Sequence, residues 1–436
     1  MTRSRLARRA FLLGSSWTAL GAALARTPYG GRLRLAVPWP ITALDPATLS
    51  DGFSALFAGA AFDPLFGLDA AGSPYPALAD ALPSKLSEGC KVTLRPGLKT
   101  AAGKPLSGAD VLASLARARS RGAAGLLGEL ESPKALAQEP LSVVFGQSSP
   151  DAVARALASP LVPLVPRSFS PLSPDGTGAF RVELGRGRAL FTRNPNAARG
   201  PAFLEAIEVT AVSDLAELLR GFESGTSDVG WFGTGLYKAV KDAVAFEAPR
   251  YGFAVLQSGK QVGAWGAPGT LQALLDAVPA QQLQHLGLRG LPARAIGSQR
   301  WGGPPTTIAV LAGAAQLLAV ARALATTLST PGHELTVVEK SAEELAGLRD
   351  SKQYGLLVDV VRAGATPRET ELLLRTAASP ESAKRAPRTA SMAPRDLGRQ
   401  LALGVAGELS IYGSRRAPFV GLESWQLGGV FVRAAS

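Results

Sequence analysis

The sequence predicts an α/β protein of more than one domain, with sheets flanked by helices, and three observations carry that prediction. At 436 residues, 46% of them apolar, the chain is long for a single domain and has ample material for two or three cores. Runs with the two-residue period of strands alternate with runs carrying a helical stripe. In the second half these runs follow one another as strand, helix, strand at the spacing of crossovers in a mostly parallel sheet.

The elements read in order as follows. Arg3, Arg5, Arg8 and Arg9 precede an apolar stretch from Ala10 to Leu24, and Ala23-Leu24-Ala25 supplies small residues for cleavage. Residues 1–25 therefore read as a removable export signal. Arg8-Arg9 before Ala10-Phe11-Leu12 resembles the twin-arginine type, with a general secretory signal as the alternative. The stretch is short for a membrane span and no cysteine follows it, so no stable membrane anchor is expected. About 410 residues remain after the signal.

Arg32 to Val37 alternates polar and apolar and predicts a strand, after which Pro38, Pro40 and Asp45-Pro46 break the chain. A second strand is expected around Val92 and Leu94. Ser107 with Asp110 three residues on predicts a capped helix bearing Val111, Leu112 and Leu115 on one face. Pro160 to Pro174 reads as a crossing between lobes. Ile207–Val209 predicts a strand; a helix from Ser213 carries Leu215, Leu218, Leu219 and Phe222 and ends at Gly225. Asp228 to Trp231 is a short strand. The second unit is a strand at Thr307–Leu311, a helix through Leu328 stopped by Pro331-Gly332, and a strand at Leu335–Val338. Gln316 and Arg322 interrupt the apolar run of that helix and mark it as a core helix, not a span. Gln353–Val358 predicts a further strand, and basic, proline-punctuated Ser379 to Arg399 a mobile surface loop.

The composition argues against several functions. The net charge is +12, and the four signal arginines leave +8 on the remainder, scattered and with little aromatic interleaving, so no nucleic-acid partner is expected. His285 and His333 are the two histidines and Cys90 the single cysteine, which leaves little from which to build a triad or a His/Cys metal site. Cys90 reads as a small buried hydrophobe. Gly97 to Lys104 fails as a phosphate loop because five residues separate the glycines and Pro105 stands where Ser or Thr belongs. The expectation is a binding protein without cofactor, and not an enzyme.

A set of short motifs gives that expectation a family. Phe62-Asp63-Pro64-Leu65-Phe66-Gly67-Leu68-Asp69, Pro76-Ala77-Leu78-Ala79, Leu94-Arg95-Pro96-Gly97-Leu98-Lys99 and Gly103-Lys104-Pro105-Leu106-Ser107-Gly108-Ala109-Asp110-Val111 occur in that order. Gly176-Thr177-Gly178-Ala179-Phe180, Arg193-Asn194-Pro195 and Gly225-Thr226-Ser227-Asp228-Val229 follow. Together they resemble the dipeptide/oligopeptide class of solute-binding proteins (family 5) that serve ABC transporters. The resemblance implies a two-lobed periplasmic-binding-protein fold with an additional subdomain and a ligand cleft between the lobes. Lobe I would comprise 32–66, 168–235 and 418–436, the subdomain 67–167, and a shortened lobe II 236–417. It also implies a periplasmic monomer whose partners are a small-molecule or short-peptide ligand and an ABC permease, with hinge closure over the ligand. A solute-binding-like sensory or interaction subunit with a degenerate cleft is the alternative.

Six residues are candidates for the cleft. Trp39 and Thr42 follow the first strand, Trp231 and Phe232 end another, and Trp265 falls early in lobe II. Arg368 is the sixth. In oligopeptide-binding relatives a stretch similar to Val361-Arg362-Ala363-Gly364 continues Trp-x-x-Asp, and that Asp pairs with the peptide ammonium. Here Ala365 and Arg368 stand at those places. An arginine there repels an ammonium and attracts a carboxylate or phosphate; Glu369 or Glu371 would restore an acid if the loop aligns differently. Asn196-Ala197-Ala198 also replaces the aromatics usual after Arg-Asn-Pro.

Overall fold

The computed structural model describes residues 29–433 apart from 88, 129, 232–239 and 387–390. The export signal at 1–25 lies outside the described residues.

The first strand, Arg32–Val37, forms because its apolar positions fall on one side: Leu33 and Leu35 are buried while Arg32 and Arg34 face solvent. It pairs in parallel with Ala206–Ala211, which continues antiparallel to Arg188–Arg193 and then Phe180–Gly185. The helix Gly52–Ala61 covers the inner face of this four-stranded sheet. Asp51 caps it, accepting from the backbone N–H of Phe53 at 3.2 Å and of Ser54 at 3.1 Å. Phe53, Phe57, Phe191 and the half-buried Trp425 stack through this layer. Gly176-Thr177-Gly178 earns its glycines by proximity: a Cβ on Gly178 would strike the Ala60–Phe62 backbone.

A four-stranded antiparallel sheet, ordered Ser84–Leu86, Gly89–Thr93, Glu139–Phe145, Lys134–Leu136, makes the subdomain. Ser107 and Asp110 form the expected capping box of the helix Gly108–Ala118. Cys90 is buried in the subdomain core.

The second lobe is a six-stranded mixed sheet ordered Leu288–Arg289, Leu403–Leu409, Gly252–Ser258, Leu356–Arg362, Thr306–Leu311, Leu335–Lys340. Its two parallel pairings flank Thr306–Leu311, and the helix Ala315–Leu328 makes the crossover from that strand to Leu335–Lys340. All seven residues of Leu356–Arg362 are buried, as expected of a strand covered on both faces. The described residues of 379–399 depart from the mobile loop expected of their composition. They hold the short helices Pro380–Lys384 and Pro394–Gly398, because Leu397 is fully buried and Arg395 and Arg399 pair with the buried Asp276 at 2.5 and 3.0 Å.

Between the two larger sheets lies a small one, Val229–Trp231, Tyr412–Arg416 and Ala243–Glu247. Ala243–Glu247 carries the chain toward the second lobe and Tyr412–Arg416 brings it back, paired antiparallel from Ala243↔Arg416 to Glu247↔Tyr412. Asp228, buried beside this sheet, accepts from the Arg34 guanidinium at 2.8 Å and ties it to the first strand. No helix among the described residues is long and apolar enough to cross a membrane.

Candidate functional site

The two lobes meet at the segment that follows the first strand. Pro38 and Pro40 stop that strand, so Trp39 turns out of the sheet edge toward the second lobe. Its indole lies edge-on to Tyr251, with ring centroids 6.3 Å apart and an interplanar angle of 87°. Gly52 admits the ring, since a Cβ there would collide with it. Trp39 Nε1 donates to Tyr251 Oη at 3.3 Å, and Tyr251 donates to Gln316 Oε1 at 3.2 Å. Gln316 Nε2 in turn donates to the Leu286 carbonyl at 3.0 Å. Trp39 and Gln316 are fully buried and Tyr251 nearly so. Burial raises the Tyr251 hydroxyl far above the usual phenol range, so it stays a neutral donor. Gln316, which interrupts an apolar helix in the sequence, is therefore the second lobe's end of a hydrogen-bonded relay.

A second contact lies further along the same segment. The Arg362 backbone N–H donates to the Leu49 carbonyl at 3.0 Å. Its buried guanidinium donates to the carbonyls of Pro46 at 2.5 Å and Thr48 at 3.4 Å. Burial lowers the Arg362 pKa to about 10, while Asp51, Asp45 and Glu369 act in the opposite direction. Asp45 is also held by Arg117 of the subdomain at 2.6 Å. Glu369 accepts from Ser159 of the subdomain and from the Ala365 N–H at 2.8 Å. Burial pushes the carboxyls of Asp51 and Glu369 up. One guanidinium thus sits among carboxylates supplied by both lobes, and the subdomain holds two of the three through Arg117 and Ser159. Nearby, the helix Pro367–Ala378 packs on Ala124–Leu127 of the subdomain, and Gly125 permits the approach to Thr376 and Ala383.

Of the predicted site residues, the structure puts Trp39 at the centre of the junction and leaves Thr42 exposed beside it. Trp231 is buried in the small sheet opposite Gly413, and Phe232 lies outside the described residues. Trp265 is elsewhere. The seven-residue strand from Gly252 to Ser258 carries the chain on the order of 20 Å away from Tyr251. There Trp265 stacks on buried Trp301, centroids 4.7 Å apart. Arg368 lies in the first turn of the helix capped by Thr366, 3.7 Å from the buried carboxylate of Glu371. Its Nη1 is buried without a hydrogen-bond partner. Glu371 also takes Arg375 at 2.8 Å and the Met392 N–H at 3.2 Å. Beside it is a pocket of about 220 Å³ whose wall includes Arg250, Thr370, Glu371, Leu374 and Met392. Sequence reasoning took Gln316 only as an interruption of a core helix and missed Tyr251 and Arg362; Gln316 and Arg362 are polar residues in apolar runs, whereas Tyr251, next to Arg250, carries no such signal.

No family model matches this sequence, and no curated protein matches it. Solved structures do resemble the fold. The oligopeptide-binding protein AppA from Bacillus subtilis, in complex with a nonapeptide, superposes with a TM-score of 0.71 at 11% identity, over 93% of this chain and 100% of that one. The chain has the fold of a two-lobed solute-binding protein. The ABC transporter-associated periplasmic binding protein DppA from Helicobacter pylori, in complex with the peptide STSA, gives 0.69 at 13% identity, over 93% and 99%. AgaA from A. tumefaciens R10, in complex with agropinic acid, gives 0.67 at 14% identity, also over 93% and 99%. In this solute-binding-protein fold, the relay and the Arg362 contact lie where the two lobes meet.

Proposed function

We propose that the chain is an exported solute-binding receptor that delivers a small organic ligand, peptide-like or anionic, to an ABC transporter, and that it is not an enzyme. The observation that carries this reading is the junction. Two lobes are joined by two antiparallel crossings and close on each other through polar side chains that can separate. The ligand site lies between the lobes, with Trp39, Thr42 and Trp231 on the first lobe and Arg368 at its edge on the second. Similar structures hold a nonapeptide, a short peptide and agropinic acid, so the fold alone leaves the ligand open. Arg375 engages Glu371 at 2.8 Å while Arg368 stays 3.7 Å from it with Nη1 lacking a hydrogen-bond partner, which favours a ligand with a carboxylate or phosphate. Export through residues 1–25, the permease partner and the monomeric state belong to the same proposal.

One observation favours the alternative, a sensory or interaction subunit: the hydrogen bonds of the Trp39 relay are all made to acceptors within the protein. Native mass spectrometry of freshly purified protein, followed by thermal-shift screening with free-amine peptides, N-acetylated peptides and small carboxylates, separates the two. The receptor reading expects a co-purifying small molecule, or a saturable rise in Tm that Arg368→Ala reduces for acidic ligands. Neither signal across the panel would overturn it in favour of the alternative.

A further inference from the structure

We propose a second binding site, for a small oxyanion, at the seam between the subdomain and the first lobe. A cavity of about 320 Å³ opens there between the turn 95–99 and the loop 195–198, with Arg95, Leu98, Lys99 and Asn196 in its wall. Arg95 Nη2 donates to the Ala198 carbonyl at 2.8 Å, which fixes the guanidinium across the seam. Its Nε is buried and has no hydrogen-bond partner. Arg95 itself lines the cavity, and its planar guanidinium suits a carboxylate or phosphate held there.

Charge points the same way. Asp63 is a carboxylate within electrostatic reach of Arg95, but it is buried, hydrogen-bonded by Thr177 at 2.9 Å and shared with Arg199 at 3.8 Å. Lys99 is exposed on the cavity wall and adds a further cation. Asp175, which accepts from Thr100 at 2.9 Å, is matched by Lys104 at 3.7 Å, so Arg95, Arg199, Lys99 and Lys104 stand against two acids and leave a net positive seam. The volume equals about ten waters of the liquid, so inorganic phosphate or a compact carboxylate such as citrate fits and an extended peptide does not. An anion seated here links Arg95 and Lys99 of the subdomain to the loop of the first lobe. Arg368, Arg250 and the inter-lobe residues take no part in its wall.

The test is titration of the full exported chain, by calorimetry and thermal shift, with inorganic phosphate and with citrate, against sodium chloride at matched ionic strength. At least one of the two anions is expected to bind saturably and raise Tm. Lys99 is exposed, so Lys99→Ala should fold normally and weaken binding about five- to tenfold. Arg95→Lys keeps the charge, loses the planar fork and should also weaken it. Repeating the titration in the Arg368→Ala background removes anion binding at the junction, and the saturable binding that remains should still fall with Lys99→Ala, which separates the two sites. The tighter of the two probes identifies a phosphate or a carboxylate compound as the natural class. No saturable effect beyond matched salt overturns the proposal, as does binding that Lys99→Ala leaves intact; Lys99→Ala decides alone if Arg95→Lys fails to fold.

Discussion

The segment from Trp39 to Leu49 touches the second lobe twice, and the two contacts are built from opposite chemistry. At Trp39 the relay through Tyr251 and Gln316 is neutral, and each donor has an acceptor. Ten residues on, at Leu49, the contact is with Arg362, which sits buried among Asp45, Asp51 and Glu369 and depends on charges from both lobes. A neutral relay loses little when the lobes part, because water replaces each hydrogen bond one for one. An ionic contact leaves charges that must be rehydrated or stranded. The relay suits a surface that opens and closes, and the Arg362 contact suits a fixed pivot.

The largest effect is expected where a charge is stranded. Arg362→Met leaves carboxylates buried without their cation and should destabilise the protein by about 3–5 kcal/mol in denaturant unfolding. A loss under about 1 kcal/mol would mean that the acids are neutral or hydrated and that the two contacts do not differ in kind. Tyr251→Phe removes the middle of the relay and leaves Trp39 Nε1 and Gln316 Oε1 without partners while keeping the ring. Its cost should be about 1–3 kcal/mol if the junction stays shut, and close to zero if it opens to water. Small-angle scattering on the same variant tells the two apart, since an opened form has a larger radius of gyration.

The sequence made the elements legible wherever one face of an element is wet. Arg32–Val37 and the helix Leu215–Ser224, ended by Gly225 at φ +79°, read cleanly because solvent imposes a period on them. Ser107 with Asp110 read cleanly because capping is local. The helix Gly52–Ala61 carries no such period, since nearly every residue is buried. Of the candidate site, Trp39 was legible as the residue after a strand end. Trp265 was misplaced because chain order says nothing about which end of a sheet an aromatic reaches. The roles of Tyr251, Gln316 and Arg362 were not legible because their partners are 212, 65 and 316 residues away in sequence. Arg368 was read as a loop residue at the cleft, and its approach to Glu371, three residues on, follows only once Thr366 starts the helix.

The smallest effect is a pH dependence, and it again separates the two contacts. Burial raises the Asp51 and Glu369 carboxyls above their unfolded values, which lie near 4. In that window the folded state holds more protons than the unfolded one, so their contribution is present below about pH 4 and is lost as pH rises through the raised values. Carboxyls pulled the other way, such as Glu344 at about 2 and Asp276, give the opposite trend. That trend is common to wild type and variant and cancels in the difference. Glu369→Gln keeps an oxygen for the Ala365 N–H and an amide for Ser159 but no longer titrates. Urea unfolding between pH 4 and 8 should show the variant gaining on wild type as pH rises, while Tyr251→Phe runs parallel to wild type throughout. Parallel curves for Glu369→Gln would mean that Arg362 already holds that carboxylate ionised, and the junction would then be a satisfied ion pair, closer in character to the relay than its burial suggests.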